Sequence, residues 1–135
     1  MTFPPRIAAA LMAAYLLLVA AIVFWPTADI ASGSVSVIQR VFASLGAPAY
    51  VDRDAIEFAT NTAMFVPLSF LGLLLTPRWP WTSWVVVGFA GSLFIETAQL
   101  VLLSERSPAA VDVVANTLGS LVGAVAAALA RPMLR

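Results

Sequence analysis

The chain has 135 residues, 61% of them hydrophobic and only 10% charged, with a formal net charge of zero. A mean hydropathy of +0.97 excludes an ordinary water-soluble domain, and the length suits one compact helical domain over 1–135 with no second soluble one. The neutral charge balance leaves no basic footprint for nucleic acid.

Four apolar runs, 7–25, 55–75, 84–103 and 111–129, are each long enough to cross a hydrocarbon core as a helix. The short alternating segments of a membrane barrel are not seen. The chain therefore reads as an all-α, four-span integral membrane protein. The first run follows Pro4-Pro5, which suit a first helical turn, and ends at Trp25-Pro26. It is longer than the apolar part of a usual signal peptide, and Trp25 is an interfacial anchor, so it reads as a retained span.

The loop after it carries Val35, Ile38, Val41, Phe42 and Leu45 at helical spacing, with Gln39, Arg40, Ala43 and Ser44 between them. This predicts a short amphipathic helix over about 34–45, stopped by Gly46-Ala47-Pro48. The second span follows Asp52-Arg53-Asp54, whose acids suit a helix N-terminus. It contains Glu57 and Asn61 near its start and Pro67 within it, where a kink is expected. The third span carries Glu96 and Gln99 near its end. A short connection holds Glu105 and Arg106, and the fourth span opens on Asp112 and Asn116. Ionisable and amide groups within spans are costly in lipid and mark a bundle interior or a wet cavity.

Four spans put both termini on one side. That side holds Arg6, Arg78, Arg131 and Arg135 and no acid. The other holds Arg40, Arg53 and Arg106 with Asp29, Asp52, Asp54 and Glu105. The positive-inside rule then places both termini in the cytoplasm. In that orientation Glu57, Asn61, Glu96, Gln99, Arg106, Asp112 and Asn116 converge at one depth, in the outer leaflet. The faces agree: Glu57, Asn61, Leu68 and Gly72 share a stripe of the second span, and Gly88, Ser92, Glu96 and Gln99 share one of the third. In the fourth, Asp112 and Asn116 lead into Gly119-x-x-x-Gly123, a small-residue face for close helix packing.

These residues carry a resemblance. Asn61-x-x-x-Phe65-x-Pro67-Leu68, then Glu96-x-x-Gln99, then Arg106, then Asp112-x-x-x-Asn116-x-x-Gly119-x-x-x-Gly123 resembles the VanZ-like family of small bacterial membrane proteins. The family often has glycine after the Pro-Leu pair, where Ser69 stands here. Aromatic or acidic residues often follow the arginine, where this chain has Ser107-Pro108-Ala109-Ala110-Val111. The resemblance implies a bacterial inner-membrane protein with this four-helix fold. It also implies a link to low-level resistance to teicoplanin, a lipid-bearing glycopeptide antibiotic. It supplies a fold and a context, not a reaction.

The chain has no Cys and no His. That excludes disulfides, thiolate nucleophiles, Ser-His-Asp triads and His-ligated zinc. No cofactor and no resident metal are expected, and no nucleophile paired with a base is identifiable.

Several readings of the polar cluster stay open. It forms an outer-leaflet site for a lipid or lipid-linked headgroup, or for a lipidated antibiotic. Arg106 would then take a phosphate or carboxylate, the amides would orient sugar or amide groups, and the acids would take cations. Alternatively it staples helices in a protein that docks with other membrane-protein subunits. A further alternative is an enzyme or transporter in which Glu57 and Glu96 share a proton.

Overall fold

A computed structural model describes residues 4–25, 29–48, 51–102 and 109–132, and the side chains of all of these except 29–32. The elements are five α-helices in the order α1 (Pro5–Val23), α2 (Asp29–Ser44), α3 (Arg53–Leu75), α4 (Trp81–Leu102) and α5 (Ala110–Ala130). Helices α1, α3, α4 and α5 are long and apolar enough to cross a membrane.

The boundaries follow local chemistry. Pro5 occupies the first turn of α1, where a missing N–H costs nothing. The helix ends at Val23, short of the Trp25 expected from the apolar run. Asp52 caps α3, its carboxylate accepting from the Ala55 N–H at 2.9 Å. Helix α3 runs on through Pro67 to Leu75. Helix α4 starts at Trp81, three residues before the expected apolar edge, directly after Pro80.

The first connection contains α2, which begins at Asp29 rather than near residue 34. It ends in a Schellman motif. The Ala47 N–H donates to the Phe42 carbonyl, the Gly46 N–H donates to that of Ala43, and Gly46 takes the left-handed φ of 78° that the motif requires. Of its apolar residues at helical spacing, Val35 is buried and Ile38 half-buried, whereas Val41, Phe42 and Leu45 are exposed.

Helices α3 and α5 form the most extensive interface, with α4 packed on α5 and α1 on α3. Small and polar residues line the inner side of α5. Ala115, Asn116, Gly119, Ser120, Gly123, Ala124 and Ala127 are all buried along one side of α5. Large apolar residues point outward: Val111, Val114, Leu118, Val122, Val125 and Leu129 recur along its exposed side. This inverts the arrangement of a water-soluble bundle and suits a lipid solvent. Threonine hydroxyls within the spans are satisfied locally. Those of Thr62, Thr97 and Thr117 donate to the carbonyl one turn back.

The seam between α3 and α5 is set by backbone contact. A Cβ added at Gly119 would overlap the Thr62 carbonyl oxygen, and one at Gly123 would overlap that of Val66. Gly88 of α4 is likewise filled by Ser120 of α5, and Gly72 of α3 by the Trp84 ring of α4. At the end of the bundle where α3 and α5 finish, the Trp84 indole donates to the Thr76 hydroxyl at 2.8 Å. There the Arg131 guanidinium donates to the carbonyls of Leu73 and Thr76. It thereby covers carbonyls that the end of α3 leaves without intrahelical donors.

Gly119→Ala and Gly123→Ala should each lower stability by about 1–3 kcal/mol in reversible unfolding from detergent into SDS, because the added methyl forces backbone apart. Gly91→Ala serves as the control. Nothing lies within 4 Å of its added Cβ, so no loss is expected there.

Candidate functional site

The polar residues singled out in the spans lie at the end of the bundle where α1 and α4 finish and α3 and α5 begin. Three hydrogen bonds fix this. Asn61 Nδ2 of α3 donates to Asp112 Oδ1 of α5 at 2.8 Å. Gln99 Nε2 of α4 donates to the Val23 carbonyl at the end of α1 at 3.0 Å. The Ala109 N–H, at the N-cap of α5, donates to Glu96 Oε2 of α4 at 3.0 Å.

The Glu96 contact has a clear electrostatic reason. Ala109 has no side chain with which to cap α5. In a capping box, an acid three residues into the helix reaches back to the N-cap N–H. Asp112 occupies that position but bonds across to Asn61 instead. Glu96 takes over the capping role from the neighbouring helix. Its carboxylate sits at the positive end of the α5 dipole, which offsets the cost of burying it at 8% exposure.

One turn deeper, Asn116 Nδ2 donates to Ser92 Oγ at 2.9 Å, and the Ser120 hydroxyl donates to the Asn116 carbonyl at 3.0 Å. All three residues are buried. Asn116 Oδ1 makes no hydrogen bond among the described residues.

Glu57 stands apart from these ties. It is exposed and borders an open-sided cavity of about 360 Å³ between α1, α2 and α3. Asn61, Thr60, Tyr15 and Ser34 give that cavity polar edges, and Ile22, Val35, Ala63 and Met64 give it apolar walls. A second cleft, of about 230 Å³, opens between α1, α3 and α4 and is lined almost wholly by apolar groups, with Ser69 at its base on α3.

The structure thus divides the sequence-derived set. Asn61, Glu96, Gln99, Asp112 and Asn116 each make an interhelical tie, and Asn61 also borders the cavity with Glu57. Glu57 and Glu96 serve different faces: the first borders the α1–α2–α3 cavity, while the second caps α5. Arg106 lies outside the described residues, as does Leu103, the expected last residue of the third span. Tyr15, Ser34 and Thr60 border the cavity without having been singled out. Tyr15 is the only hydroxyl-bearing residue in the first span, and that signal was available.

A double-mutant cycle on Asn61→Ala and Asp112→Ala should return a coupling of about 0.6 kcal/mol in SDS unfolding, the usual size for an interhelical hydrogen bond in a membrane protein. Glu96→Leu should cost about 1–3 kcal/mol by the same measure, since it strips the Ala109 N–H of its acceptor.

No curated protein and no solved structure matches the chain. A family model does: VanZ/LLP1 matches residues 12–131. The match begins within α1 and ends at Arg131, which clasps the end of α3. Every interhelical tie described above therefore falls inside it, and the chain belongs to the VanZ/LLP1 family.

Proposed function

We propose that this protein lies in the bacterial cytoplasmic membrane with both termini in the cytoplasm, and that its outer end holds a lipid or lipid-linked headgroup. The observation that carries this reading is the cavity between α1, α2 and α3. It brings a carboxylate, an amide and hydroxyls against apolar walls at the end of a membrane bundle. Polar groups that orient a ligand above an apolar lining are the usual build of a small-molecule site.

The other polar residues support the site indirectly. Asp112 ties α5 to Asn61 of the cavity-bearing α3, while Glu96 and Asn116 join α4 to α5 and Gln99 joins α4 to α1. Helix α2 forms one wall. Its exposed Val37, Val41, Phe42 and Leu45 would rest in the membrane interface, as an amphipathic surface helix does. A site of this kind, taking the lipid part of a glycopeptide or a lipid-linked precursor, would give the resistance that the VanZ-like resemblance implies a physical basis.

Two measurements test the reading. The chain lacks cysteine, so single substitutions map topology without background. Ser44→Cys should react with a membrane-impermeant maleimide in intact cells, and Arg78→Cys only after lysis. The reverse pattern would put the cavity in the inner leaflet. For occupancy, native mass spectrometry of the purified chain should show retained lipid, and Ala63→Trp, which fills the cavity, should remove it. Retention unchanged in a folded Ala63→Trp protein would defeat the site.

A further inference from the structure

Resting on that headgroup reading, we infer that the cavity selects a primary ammonium group, and that its occupant is an aminophospholipid of the phosphatidylethanolamine type with its amine at Glu57. The argument is an inventory of protons. The Tyr15 hydroxyl donates to the Met64 carbonyl at 3.0 Å. The Thr60 hydroxyl points its proton back along α3, with the Ile56 carbonyl at 3.0 Å and the Glu57 carbonyl at 2.9 Å. Asn61 commits an N–H to Asp112.

Tyr15 and Thr60 therefore turn their donors toward the protein and keep lone pairs to offer the cavity, while Asn61 keeps its carbonyl oxygen and a second N–H, and the Ser34 hydroxyl also borders the space. Glu57 adds a carboxylate, an acceptor only when ionised, that makes no hydrogen bond or ion pair among the described residues. The neighbouring cation on α3, Arg53, lies one turn earlier. Its guanidinium reaches Ser36 of α2 at 3.5 Å rather than Glu57.

A space edged mainly by acceptors and one negative charge disfavours a free phosphate or carboxylate, whereas a phosphodiester that arrives joined to an ammonium can draw on the second Asn61 N–H. The space favours a cation that brings its own donors. A primary ammonium has three N–H groups, enough for the carboxylate and two neighbouring lone pairs, and charge-assisted hydrogen bonds are the strong ones. A quaternary ammonium carries the same charge with no N–H. The apolar walls at Ile22, Val35, Ala63 and Met64 suit the start of the acyl chains.

The test varies the ligand first, which removes any dependence on mutant folding. The delipidated full chain is offered dioleoyl phosphatidylethanolamine, its N-methyl and N,N-dimethyl derivatives, phosphatidylcholine and phosphatidylglycerol, and retention is read by native mass spectrometry. Retention should fall stepwise as N–H groups are lost, with phosphatidylethanolamine favoured about tenfold over phosphatidylcholine and over phosphatidylglycerol. Glu57→Gln, at an exposed position, should bring the lipids to within about twofold of one another.

Equal retention of all five lipids, or a preference that survives Glu57→Gln, overturns the amine assignment. If Ala63→Trp still strips lipid in that case, the headgroup site itself stands. A folded wild-type chain that retains none of the lipids ends both.

Discussion

The fold depends on two helix backbones being allowed to touch. Gly119 and Gly123 bring α5 against the Thr62 and Val66 carbonyls of α3, closer than any residue with a Cβ permits. In lipid there is no hydrophobic drive to press helices together, since acyl tails solvate leucine as well as a neighbouring helix does. Close backbone approach replaces that drive with many short dispersion contacts and with Cα–H contacts to carbonyl oxygen. Serine and alanine along the same side of α5 extend the effect, and Ser120 seats in the space that Gly88 leaves on α4. One small-residue helix thereby holds two others.

That closeness also makes the polar ties possible. A side-chain amide reaches a neighbouring helix at 2.8 Å only where the helices are already near, as Asn61 does with Asp112 one to two turns above the glycine seam. The reciprocal benefit is register. Glu96 grips the N-cap of α5, Asn116 grips Ser92, and Gln99 grips the end of α1, so three contacts of different chemistry define the end of the bundle where α3 and α5 begin. At the opposite end Arg131 and the Thr76–Trp84 pair do the equivalent work on α3 and α4. Each contact is worth little alone in a membrane. Together they tie all four spans to one another.

Most of the architecture is legible in the sequence because the bilayer imposes a blunt length rule. Runs such as 111–129 announce a span with little need for tertiary context, and the observed α5, Ala110–Ala130, differs by a single residue at each end. The Gly119–Gly123 face is legible for the same reason that it works: small residues four apart stand out among leucines and valines. What the sequence hides is pairing. Glu96 reads in the sequence as a ligand-binding or polar-core acid, and its place beside the alanine-capped N-terminus of α5 shows only in three dimensions. The same holds for Asp112 and its partner Asn61. Helix α2 starts at Asp29, earlier than its apolar spacing indicates.

The separation of Glu57 from the other acids has a geometric origin. Position 57 falls on the side of α3 turned toward α1 and α2, whereas Thr62 and Val66 fall on the side pressed against α5. Asn61 sits at the border and serves both, donating to Asp112 on one side and edging the cavity on the other. The residue that ties the bundle therefore also shapes the space beside it. Any ligand that draws on the Asn61 carbonyl oxygen acts on the same amide that holds α5. Occupancy of the cavity and cohesion of the α3–α5 seam are then linked quantities, and binding at Glu57 of α3 is expected to stabilise the packing of α5, which does not line the cavity.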